Sequence, residues 1–224
     1  MWLNVVVRRC ASKKTNFSFF FLLCQCFDSV LSVIATHDDW NPIESIPVQE
    51  VVAALNEHYV SWVVEHVLRT FSSEGCSGTS DHVALSVNAA RFFRAEQVLV
   101  ECNVGTSSEL AREWKTRLPR GVGTGAVQQE EGGEPNVEET FVNLVRQEGL
   151  GLIEQDGIGL RKIRTFLRRD LSIVTKTRFQ QLFEARSEWT KDDLLYYLIG
   201  LEGGEGLLMK WARATQGGTV FSKR

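Results

Sequence analysis

Residues 178–198 read RFQQLFEARSEWTKDDLLYYL. Phe179, Leu182 and Phe183 recur at the three- and four-residue spacing of one helix face, which predicts a helix over 176–187. Thr190, followed three residues later by Asp193, has the spacing of a capping box and predicts a second helix from 190 to 201. Trp189 stands between these two amphipathic segments, so it is expected in the core with Phe179, Phe183 and Tyr197. A third helix is predicted over 206–216, and the closing TVFSKR reads as a strand.

Working outward, the same grammar recurs upstream. Pro47 opens a helix in which Val48, Val51, Val52 and Leu55 follow the i, i+3, i+4, i+7 rule, and Val60, Val63, Val64, Val67 and Phe71 form the stripe of the next. FSSEGCSGTSDHVALSV then reads as two short strands around a turn from Gly75 to Gly78. A helix over 88–102, a Thr106 and Glu109 capping box, an Asn136 and Glu139 start signal, and a hairpin turning at Asp156 and Gly157 compose a second unit. Helix after helix followed by a hairpin is the order of a winged-helix module. The expectation is a mostly α, α+β chain of tandem winged helices at 27–87, 88–165 and 166–224, with a mobile Gly/Glu-rich loop over 120–135. Residues 1–26, with their basic start and short apolar run, are expected to be disordered or an artefact of a truncated gene model, a signal peptide and a genuine domain start being the other readings. The run is too short to span a bilayer, and no membrane association is expected.

Catalytic and metal-binding patterns are weak. Cys10, Cys24, Cys26, Cys76 and Cys102 form no CxxC pair, and His37, His58, His66 and His82 are not grouped as zinc ligands, so neither metal nor cofactor is expected. Gly121, Gly123 and Gly125 follow a helix and Pro119 instead of a strand, which fits a linker better than a phosphate-cradling loop. Ser80, Asp81 and His82 are consecutive and cannot converge as a triad. The chain is expected not to be an enzyme.

Charge is informative only locally. The total is -3, from 25 basic and 28 acidic side chains. Yet residues 161–178 hold Arg161, Lys162, Arg164, Arg168, Arg169, Lys176 and Arg178 against Asp170, and the last stretch carries Lys210, Arg213, Lys223 and Arg224 with no acid. Lys210 and Arg213 lie one turn apart on the predicted last helix and would share a face. These last four are candidate DNA contacts; Arg161, Lys162, Arg164, Arg168 and Arg169 are candidates for DNA or protein contact.

The run RFQQLFEARSEWTKDDLLYYL, with LLMKWAR and VFSKR after it, resembles the closing signature of the Dcc family of sister chromatid cohesion proteins through Arg178, Phe179, Leu182, Phe183, Arg186, Trp189, Thr190, Asp192 and Tyr197. Trp40, AREWKTRLPRGV and GLGLIE fall where that family has related sequence, and Tyr196 stands where a proline is common. The resemblance implies a nuclear subunit of an alternative replication factor C clamp loader, partnered by the large and small Ctf subunits through an amino-terminal portion not matched here. It also implies contact with DNA polymerase epsilon and DNA. The other reading of such modules is a free-standing winged-helix DNA-binding regulator, or a scaffold subunit of another nuclear complex.

Overall fold

The computed structural model describes residues 16–73, 81–119, 122–123, 136–157, 159–215 and 219–223. The expected turn from Gly75 to Gly78, most of the 120–135 loop and Arg224 lie outside them. The fold is α+β, with helices and small antiparallel sheets of two or three strands. It divides into two compact units: one comprises the described residues through Val98 together with those from Ala111 to Thr140, the other Leu99–Leu110 and Phe141 onward.

The first unit opens with α1 (Asn16–Thr36), followed by β1 (Ile46–Pro47), α2 (Val48–Leu55), α3 (Ser61–Thr70) and β2 (His82–Val83). Pro47 caps α2 from an extended backbone at φ -73°, a value its ring enforces. Val48, Val51, Val52 and Leu55 are all buried, as are Val63, Val64, Val67 and Leu68 of α3. The two stripes close on α1, where Phe27 stacks on Phe71 at 3.9 Å and meets Phe93 edge-on at 4.8 Å. Asp28 on the same helix takes Arg94, and also accepts from Gln97 Nε2 at 2.8 Å. A fold boundary after residue 26 is therefore corrected: the helix begins at Asn16, and Cys26 and Phe27 are both fully buried in this core. Leu23 and Cys24 pack on the same cluster, so the described side chains of the apolar run contribute to this helix face. No helix among the described residues is long and apolar enough to cross a membrane.

Further along come α4 (Val87–Cys102), β3 (Val104–Thr106), α5 (Ser107–Arg117), α6 (Val137–Glu148), β4 (Gly151–Gln155) and β5 (Arg161–Thr165). The last segment repeats the order with α7 (Thr175–Ala185), β6 (Glu188–Thr190), α8 (Lys191–Leu198), α9 (Gly206–Trp211), β7 (Ala212–Thr215) and β8 (Val220–Lys223). In both, the first strand pairs with the last, giving strand orders β3-β5-β4 and β6-β8-β7. Three helix starts are fixed by the caps legible in the sequence. Thr106 and Glu109 bond reciprocally, Asn136 Oδ1 accepts from Glu139 N at 3.0 Å, and Thr190 Oγ1 accepts from Asp193 N at 3.2 Å. Helix α6 ends at Gly149, whose φ of 62° is left-handed; a Cβ there would stand 2.9 Å from Arg168 Cβ.

Two local expectations are corrected. The β4–β5 hairpin closes through Asp156 N donating to Leu160 O at 3.0 Å, so its loop is wider than the two residues Asp156 and Gly157. The last helix stops at Trp211, and Ala212–Thr215 turns into a strand paired with Val220–Lys223. Ala-Arg-Ala favours helix locally, but pairing Ala214 with buried Phe221 overrides that preference.

Candidate functional site

In the second unit, the residues of the 178–198 run form one connected framework. Phe179, Phe183, Trp189 and Tyr197 are all buried in a cluster that also takes Leu152, Leu194 and Phe221. Trp189 Nε1 donates to Leu182 O at 3.1 Å and Arg186 O at 3.0 Å, satisfying its polar handle at the end of α7. Buried Arg178 sends Nε to Ser172 O at 2.7 Å and Nη1 to Tyr197 O at 3.0 Å. Its donors also reach Leu171 O and Ile199 O, so one guanidinium gathers the loops flanking α7 and α8.

Two further side chains cap the outer edge of β4. In its pairing with β5 the odd residues direct their carbonyls away from the ladder, and these outward groups would otherwise be unpaired. Tyr197 Oη donates to Gly151 O at 3.1 Å, and Arg186 Nη2 donates to Ile153 O. Burial pushes the Tyr197 phenol above its ordinary range; nearby Arg186 opposes that rise, and Asp193 adds to it. Arg186 also lies over the Trp189 ring at 5.3 Å and faces Asp193 at 3.7 Å, while Arg146 of α6 reaches the same carboxylate at 3.0 Å. The cleft these residues line has about 10 Å³ of room, enough for one water and not for an organic substrate. Among the described residues no group of three or more His, Cys, Asp or Glu side chains could hold a metal ion. The sequence marks Asp193 only as a cap; its second task, joining Arg146 and Arg186, has no local signal.

The basic candidates separate by position. Arg168 is 9% exposed, donating to Tyr196 O at 3.0 Å and Gln147 O at 3.4 Å and facing Glu148, so its guanidinium is engaged within the fold. Arg169 lies beside Asp170 at 3.8 Å. Arg161, Lys162 and Arg164 lie on the central strand β5; Arg161 shares the face of buried Ile163, whereas Lys162 and Arg164 share the opposite one. In the last segment Lys210 is exposed at the end of α9, beside the Trp211 ring at 5.8 Å. Arg213 is not on that helix and does not share its face: it is an exposed residue of β7, opposite Ser222. Lys223 is exposed opposite Ala212, so Arg213 and Lys223 project from opposite faces of the β7–β8 ladder.

No curated protein matches the chain. The family described as sister chromatid cohesion protein Dcc1 matches residues 20–198, beginning within α1, ahead of the expected limit near residue 27, and ending with α8. That span covers the three capped helices and the whole Arg178 to Tyr197 framework, and the chain belongs to the Dcc1 family of sister chromatid cohesion proteins.

Proposed function

We propose that the chain is a non-enzymatic subunit of an alternative replication factor C clamp loader, acting in the nucleus where DNA replication is coupled to sister chromatid cohesion. The observation that carries this reading is the family match over 20–198, joined to the twice-repeated order helix, strand, helix, helix, strand, strand. With the first strand paired to the last, that order is the connectivity of a winged helix, and the two repeats are read as winged-helix modules at 88–165 and 166–224. The helices and short sheet before residue 87 are read as a third, related module. Modules of this kind present helices and wings to protein and DNA partners, which suits a scaffold better than a catalyst.

DNA polymerase epsilon and DNA are the partners this reading assigns, along with the large and small Ctf subunits of the loader. For DNA, the β7–β8 ladder supports contact in a particular way. Arg213 and Lys223 on its opposite faces can address phosphates on either side of a groove, with Lys210 nearby in sequence and Arg224 following. Affinity purification of the tagged full chain from replicating cells tests the assembly. Recovery of clamp-loader subunits and polymerase epsilon is the expected result; their absence from the eluate would refute it.

A further inference from the structure

The last two modules meet along a seam that bonds cross in both directions. Tyr197 and Arg186 donate to Gly151 O and Ile153 O of β4, and Arg164 of β5 donates back to Ala185 O at 3.3 Å. Leu152, between the two capped carbonyls, packs in the cluster of Trp189 and Phe221, so a residue of the earlier module fills the core of the later one. Approach is close where α6 ends: a Cβ on Gly149 would stand 3.5 Å from the Tyr197 ring. The connecting segment belongs to the seam as well, because Arg168 holds Gln147 O on one side and Tyr196 O on the other. Domains strung on a linker ordinarily share a small, polar contact and move independently. Here an apolar core and the capping of backbone carbonyls both cross the boundary.

We propose that these two modules are one conformational unit, latched by Asp193 between Arg146 and Arg186, and that the latch holds the last module at a fixed orientation to the β4–β5 hairpin. Arg146 belongs to the earlier module and Arg186 to the later one, and the single carboxylate faces them at 3.0 and 3.7 Å. Its charge is what lets two guanidinium groups converge there; without it they repel. Arg186 is the group that transmits the loss, since it also caps Ile153 O and lies over the Trp189 ring. Displacing it uncovers the edge of β4 and the core of the last module in one event, the behaviour of a cooperative unit. This coupling stands whether the partner of the last module is DNA or protein.

Native-state hydrogen exchange of the full chain, read by mass spectrometry, tests the latch from both sides. Asp193→Asn keeps the shape of the side chain and leaves the backbone N–H of residue 193 free to bond Thr190 Oγ1, so the start of α8 is preserved. It should nevertheless speed exchange in β4 and β5, in the other module, by about fivefold or more. Arg146→Gln, on a side chain 39% exposed and so tolerant of change, should speed exchange in β6 and α8 to a similar extent. Helices α2 and α3 of the first unit should exchange as before in both variants, and thermal melts verify that each is folded. Acceleration confined to the module that carries the substitution would overturn the proposal, as would no acceleration at all. Equal acceleration in α2 and α3 would overturn it too, because the coupling would then not be specific to this seam.

Discussion

The hydroxyl of Tyr197 donates to the carbonyl of Gly151, 46 residues earlier, at 3.1 Å, and so fastens helix α8 to the edge of strand β4. The same hydroxyl reaches Phe166 O at 3.3 Å, across a ring contact of 5.3 Å between Tyr197 and Phe166. Removing it leaves the ring in place and strands Gly151 O away from its donor. Tyr197→Phe is therefore expected to cost about 1 to 3 kcal/mol, the penalty for an unsatisfied buried acceptor, read as a lower urea midpoint with unchanged slope.

The pH dependence of stability carries a second signature. Burial pushes the Cys26 thiol from 9.0 up to about 11 and raises the Tyr197 phenol above its ordinary 10.0. Both are acids held neutral in the folded chain, so between the unfolded and folded values the folded state keeps protons the unfolded state has lost. Stability should be level below pH 9.0 in this respect and fall as pH rises towards about 11, by up to about 1.4 kcal/mol per unit for each group. Cys26→Ala should flatten the first part of that decline, and Tyr197→Phe the part above pH 10.0, in denaturation curves taken at stepped pH.

Trp189 is 1% exposed, between the end of α7 and the start of α8. Truncation would open a cavity against Phe166 and Tyr197 and remove the donor bonded to Leu182 O. Trp189→Ala is expected to lose roughly 3 to 5 kcal/mol, measured by chemical denaturation. Unchanged stability would show that the ring packs elsewhere.

The amino-terminal helix gives a contrary expectation to one drawn from its sequence alone. Deleting residues through Cys26 removes the first half of α1, including side chains that pack on the first core. A fall of several degrees in melting temperature is expected, as for any loss of a few kcal/mol in a small domain.

What was legible in the sequence follows the range of each interaction. Thr106 with Glu109, and Thr190 with Asp193, declare helix starts because the bonding partners lie three residues apart. β3 and β6 give no such signal: each has three residues, too few to show alternation, and each ends on the threonine that caps the next helix. Strand β7 hides among good helix formers and exists only through its partner β8. Arg168 reads like the other basic residues of its run until carbonyls from Gln147 and Tyr196, 21 and 28 residues away, enclose it. Local chemistry was readable; burial of a charge by distant backbone was not.

The DNA contact proposed for the last module is open to a salt-dependence test. Lys210, Arg213 and Lys223 are exposed, and the Arg213 and Lys223 side chains leave opposite faces of one hairpin, a placement suited to phosphates and not to base edges. If these three and Arg224 each neutralise one phosphate, log affinity of the full chain for duplex DNA should fall against log salt with a slope of about -3.6, from roughly -0.9 per contact. Binding should be weak and indifferent to sequence. Replacing all four by alanine should flatten that slope, whereas Arg168→Ala should lower stability and leave the slope nearly unchanged in the folded fraction, because its donors are already held by backbone carbonyls. Fluorescence anisotropy on labelled duplex across a salt series makes the measurement. A fourfold variant that binds like the unaltered chain would remove these residues from DNA contact and leave protein partners as the module's role.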